Sequence, residues 1–172
     1  KRADFWGAEL LVDFHLLPRS VTRAVAPSEK GVKDLIAPGS GDSRENPHDL
    51  YLEFKGDYVH AQNLTDNEPL PRITPLRLTG ALAYAGPVLG ARIEVERVQS
   101  QDRVAAFESA TAGYTFLNAD LSYNLVSGPV AYNFYVRGTN LTDERAREHT
   151  SFLKDILPLA GRGVVIGVKT SF

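Results

Sequence analysis

The feature that most constrains this chain is a period of two, repeated along seven segments of about ten residues each. Successive side chains of a strand point to opposite faces, so such alternation describes a strand between two unlike surroundings. The first segment runs from Phe5 to Leu17, with Trp6, Ala8, Leu10, Val12, Phe14 and Leu16 on one face and Glu9, Asp13 and His15 on the other. Leu50 to Ala61, Leu76 to Ala85, Leu89 to Gln99, Tyr114 to Leu125, Val130 to Thr139 and Gly163 to Phe172 repeat the pattern. No helix of ordinary length fits these windows. Tilted strands that cross a bilayer need about 9–11 residues, whereas strands of globular proteins are mostly about 5–6 long.

The connections alternate as well. AGPVLG at 85–90 and VSGPVA at 126–131 are tight turns punctuated by Gly-Pro. The stretches 62–75, 100–113 and 140–161 are long and polar, and they fall on the other side. Short turns on one side and long loops on the other is the arrangement of an outer-membrane barrel, with the loops facing outwards. Residues 18–48 depart from it as an atypical insertion or linker on the short-turn side. Within them, SEKGVKDLI at 28–36 is expected to make a helical turn or two capped by Ser28, followed by a flexible GSGDSRENP.

Composition decides what the two faces meet. Apolar residues make up 43% of the 172, net charge is −2, and no run of about 18 apolar residues exists, so a membrane helix is not expected. Barrel strands are half polar and leave the average near neutral. One face carries Glu53, Lys55, Arg77, Arg92, Glu94, Glu96, Asp120, Arg137 and Lys169, too many charges for a dry core. They are expected to line a wet lumen, with Leu78, Ile93, Leu121 and Phe134 towards lipid. Trp6, Tyr58, Tyr84, Tyr114, Tyr123, Tyr132 and Phe172 lie near segment ends, as interfacial girdles require. A soluble two-sheet sandwich is the rival that would bury the apolar faces instead. Nothing in the charge points to nucleic acid, and the absence of Cys excludes disulfides and thiolate metal sites. The four His lie on different elements and no Gly-x-Ser-x-Gly elbow occurs, so no enzymatic activity is expected.

Several stretches then resemble one family. Asn140-Leu141-Thr142-Asp143, Pro158-Leu159-Ala160-Gly161-Arg162 and a closing strand that ends in Phe172 resemble, in that order, the C-terminal end of TonB-dependent outer-membrane receptors. ADFWGAELLVDF and GYTFLNADLSYNL resemble two further strands of that family, so the likeness covers the chain except 18–48. It implies an all-β, antiparallel transmembrane barrel of about 22 strands closed by a plug. Seven strands would be its C-terminal portion, so the chain is expected to be a piece of a longer protein whose plug lies elsewhere. The implied partners are outer-membrane lipid, the protein's own N-terminal plug, the TonB complex through that plug, and the barrel assembly machinery, which reads Phe172 as its signal. The implied place is the bacterial outer membrane. A small stand-alone barrel with an adhesive or structural role is the alternative, though single-chain bacterial barrels have even strand numbers from eight upwards.

HTSFLKDILPLAGR is most similar to the subgroup that takes up zinc, or haem. The same resemblance implies no resident cofactor, with zinc as transported ligand. Loop 140–161 holds His149, Asp143, Glu144, Glu148 and Asp155, and imidazole with carboxylates suits zinc. His60 with Asp57 is a second, weaker candidate pair near the mouth. Arg145, Arg147 and Lys154 offset the loop's acids, so a solvated charged loop accounts for the same residues.

Overall fold

The computed structural model describes residues 2–17 and 47–172. The expected helical turn at 28–36 and almost all of the 18–48 segment lie outside the described residues. Elsewhere the period of two becomes strand: β1 (Ala3–Leu17), β2 (Asp49–Asn63), β3 (Glu68–Pro69), β4 (Arg77–Ala85), β5 (Leu89–Val98), β6 (Tyr114–Ser127), β7 (Val130–Thr139) and β8 (Gly163–Ser171). They form one sheet in the order β1-β2-β4-β5-β6-β7-β8, with β3 paired to β2. Every pairing is antiparallel, and the sheet is open, with β1 and β8 at its edges.

The sequence pattern has seven strands where the sheet has eight. The extra strand, β3, is two residues long and pairs Gln62 with Pro69 and Asn63 with Glu68, inside the stretch expected to be loop. Two residues carry no readable period.

Register keeps the two faces separate across the whole sheet. On the apolar face Val12 stands opposite Phe54, Leu52 opposite Leu82, Leu82 opposite Ile93, Leu121 opposite Val136, and Val136 opposite Ile166. On the charged face Glu94 stands opposite Asn118, Arg92 opposite Asp120, and Asp120 opposite Arg137. No second layer covers the apolar face among the described residues: Ile93 is 57% exposed, Leu121 50% and Ile166 76%. Among the described residues, buried apolar side chains are confined to Ala61, Ala81, Ala83, Val98, Tyr114 and Ala146. A water-soluble sandwich would bury these faces against each other. The sheet has one layer instead.

Aromatic rings border the apolar face at both ends. On the loop side Trp6 stacks on His60, with centroids 5.0 Å apart, and tilts against Tyr58 at 5.4 Å. On the turn side stand Tyr84, Tyr123 and Tyr132, each on the apolar side of its ladder. Tyr58 and Leu50, the partner of Tyr84, are eight residues apart on β2, about 26 Å along the strand. The expectation for Tyr114 is corrected: its parity puts it on the charged face, opposite Val98, where it is 3% exposed. Phe172 follows β8 with its ring fully exposed.

Candidate functional site

The charged face is a ladder of paired ions. Arg92 donates to Glu53 and to Glu94, both at 2.7 Å. Lys55 lies 2.8 Å from Glu53, and Asn118 donates to the other oxygen of Glu94. Arg137 donates to Asp120 one strand pair away. Glu53, Arg92 and Glu94 are partly buried, while Lys55 and Arg137 stay exposed, so each charge keeps both a partner and access to water, which limits its desolvation cost. Tyr51, Arg92, Asp120, Asn133, Tyr135 and Arg137 surround a hollow of about 700 Å³ on this face. Gly167 lets the Tyr135 ring lie across β8, since a Cβ there would enter the ring. Lys169 stands opposite Asn133 and makes no ion pair among the described residues.

At the loop end the ladder gains a cover. Ala146, from the long loop after β7, is buried with Val98 and Tyr114, and Leu159 of the same loop and Phe116 pack against that cluster; Val98, Tyr114 and Phe116 are all charged-face positions of β5 and β6. Arg77 lies 3.7 Å from Glu96 on the wall and 3.7 Å from Glu148 in the loop. The loop therefore folds inwards over the end of the charged face.

Its stem is closed by the two motifs that carry the sequence resemblance. Asn140 is 3% exposed and has φ 48°, in the left-handed region that Asn tolerates. Its Nδ2 donates to Glu144 O at 2.9 Å and Ala160 O at 3.1 Å, while Oδ1 accepts from Glu144 N at 2.8 Å. Asp143 Oδ1 accepts from Arg162 N at 2.9 Å. Asn140-Leu141-Thr142-Asp143 and Ala160-Gly161-Arg162 are thus two halves of one clasp, and a Cβ on Gly161 would come to 3.0 Å from Asp143 Oδ1.

Further along, the loop meets the one that follows β5. Lys154 donates to Glu108 Oε1 at 3.0 Å and to Ser109 O at 2.7 Å, with its side chain 6% exposed. His149, 1% exposed, places Nδ1 2.9 Å from Thr111 Oγ1 and Nε2 3.3 Å from Glu108 Oε1. The angle at Nε2 does not make that last approach a hydrogen bond. Glu108 also accepts from Ala105 N and Arg72 N, and Ser109 bonds Asp155. Burial first, and then the Lys154 ammonium, hold the His149 imidazole below its ordinary pKa. Burial pushes Glu108 up, but Lys154 and the Ala105 and Arg72 amides outweigh it, so the carboxyl lies below its usual range.

The candidate ligands are therefore dispersed. Asp143 serves the clasp, Glu144 is exposed, Glu148 faces Arg77, Asp155 meets Ser109, and His149 is buried against Glu108. Among the described residues no group of three or more His, Asp or Glu is placed to hold a metal ion. His60 and Asp57 are corrected as a pair. Three residues apart on one strand, they occupy opposite faces, with His60 stacked on Trp6 and Asp57 opposite Arg77 on the charged side. Sequence reasoning missed Glu108 and Thr111 altogether and took Lys154 as a solvated counter-charge. The only local signal for Glu108 is a lone acid among small residues, AAFESA.

No protein-family model matches the chain. Among solved structures it is similar to one titled copper transporter OprC, with a TM-score of 0.67 and 19% identity over 98% of this chain. The match covers 23% of that chain, so this chain spans less than a quarter of the transporter's length. At that identity the likeness is one of fold.

Proposed function

We propose that the chain is part of the wall of an outer-membrane transporter barrel that admits a scarce metal ion into a bacterium. The observation that carries this reading is the sheet itself: one layer deep, uncovered on its apolar face, ion-paired on the other, and similar in fold over 98% of its length to a copper transporter. In this reading the apolar face meets lipid, the charged face lines the lumen, and the chain conducts rather than catalyses. The order of the Asn140–Asp143 and Pro158–Arg162 elements before strand β8 supports a TonB-dependent receptor, in which a plug from the rest of the protein fills the lumen and engages the TonB complex.

For the cargo we propose zinc, on the resemblance of the 149–162 stretch and the suitability of imidazole and carboxylate for that ion. The geometry supports a particular division of labour. The exposed acids Asp143, Glu144 and Asp155 draw cations towards the mouth, while His149 holds the loop in shape. The test is membrane fractionation and zinc uptake in zinc-depleted medium, comparing cells with and without the full-length protein. Recovery in the outer membrane with uptake that depends on it is the expected result. Recovery in the soluble fraction, or zinc and copper uptake unchanged by deletion, would overturn the reading.

A further inference from the structure

We infer that loop 140–162 is a lid seated on the mouth of the lumen, and that the Lys154 ammonium is the bolt that fastens its outer part to loop 99–113. The inference rests on the transporter reading only for the identity of the charged face as a lumen.

Three observations carry it. The lid lies across the passage, because Ala146 is buried with Val98 and Tyr114 of the charged face and Leu159 packs against that cluster. Its hinge is the clasp made by Asn140 and Asp143 with Ala160 and Arg162. Its outer part is fixed by side chains that reach a different loop 38 to 46 residues away in sequence: Lys154 to Glu108 and Ser109, and His149 to Thr111.

Loop 99–113 is suited to be the fixed partner. Gln101 and Thr111 bridge its two arms, Gln101 Nε2 donates to Ile73 O, and Arg103 reaches Ala61 O at the end of β2. The seat beneath the lid is weaker than the bolt. Its polar tie, Arg77 to Glu148, is long at 3.7 Å, and Arg77 Nε has no hydrogen-bond partner. Ser109 also bonds Asp155 and the Arg72 guanidinium lies over the Phe152 ring, but both of these ties are exposed, whereas Lys154 is a buried ammonium with two acceptors, which makes it the contact whose loss does most to free the lid. Without the Lys154 ammonium, Glu108 keeps only the Ala105 and Arg72 amides and the His149 ring 3.3 Å away, and Ser109 O loses its donor, so the outer part of the lid loses its ion pair to the fixed loop.

The test uses the full-length protein in intact cells, with a single cysteine at Thr79, a charged-face position of β4 opposite Glu96 and two residues from Arg77, at the loop end beneath the lid. A bulky membrane-impermeant maleimide is added outside and the labelling rate is followed. Lys154→Met should raise the rate at least about tenfold, as expected when a buried ion pair loses one partner. Arg145→Met removes an exposed charge from the same loop and should leave the rate unchanged. Hydrogen exchange of β6–β8 in each variant shows whether the wall is intact. A Lys154→Met rate equal to wild type with an intact wall, or an Arg145→Met rate raised as much, overturns the bolt. A cysteine at Leu78 that labels in place of one at Thr79 overturns the lumen assignment, and with it the transporter reading, independently of the lid.

Discussion

Asn140→Ala should open the stem of the lid without harming the wall. The side chain makes three hydrogen bonds, two through Nδ2 and one through Oδ1, at 2.8–3.1 Å, and it is 3% exposed. Each bond contributes about 1 kcal/mol net, and a non-glycine, non-Asn residue held at φ 48° costs about 1 kcal/mol more. Together they give about 4 kcal/mol, nearly a thousandfold in the local opening equilibrium, since each 1.4 kcal/mol is tenfold. The loss is local because the groups stranded by the substitution, Glu144 N and O and Ala160 O, all belong to the loop. Native-state hydrogen exchange on the full-length protein in nanodiscs measures it residue by residue. The Leu159 amide, which donates to Ala146 O at 2.9 Å inside the lid, should exchange several hundred to a thousand times faster. Amides of β6, β7 and β8 should keep their rates. Unchanged exchange at Leu159, or equal acceleration across β6–β8, would refute the assignment of Asn140 as the closing residue of an independent loop.

Acid should loosen the same loop. His149 is held neutral and Glu108 charged, so the stability they contribute is fully present above about pH 6.5. It is lost as pH falls below that value and His149 must take up a proton, and further below about 4.5 as Glu108 does; loop protection, corrected for the intrinsic pH dependence of exchange, that does not fall from pH 8 to 5 would contradict this. On the wall, Ile93→Arg should cost roughly 2–4 kcal/mol in urea titrations of folding into bilayers, and Ser122→Arg on the charged face much less. In the full-length protein, deletion of Phe172 should reduce the heat-modifiable folded barrel in the outer membrane, and an unchanged yield would remove it from assembly.

What could be read in the sequence follows from what alternation encodes. Strands β4 to β8 begin and end within two residues of the alternating segments, and each charged-face residue of the ladder has the parity its segment assigns, because a pleated strand has only two faces. The same rule, applied to His60 and Asp57, separates them. Tyr114 shows its limit: residue type pointed to a girdle, whereas parity and a partner from a loop thirty residues downstream, Ala146, made it part of the seat. The loops had no period to read. Glu108 and Lys154 are 46 residues apart, and a salt bridge between loops leaves no local trace. The Asn140 and Arg162 elements were visible as motifs, but that they meet in one clasp is visible only in the fold.

The paired charges also bear on how the wall keeps its register. A slip of one residue between two strands moves every side chain to the other face. If β5 slipped against its neighbours, Arg92 would leave Glu53 and Asp120 for the apolar side, and a slip of β7 would do the same to Arg137. Each Arg near the middle of a bilayer costs roughly 2–4 kcal/mol, so two such slips approach the 5–15 kcal/mol by which a whole domain is stable. In a barrel wall, ion pairing on the wet side would lower the energy of the correct register and lipid would raise that of the wrong one. The charges of this sheet are therefore part of what specifies its fold. Apolar packing within the chain contributes little, since the few fully buried apolar residues among the described ones are mostly alanine.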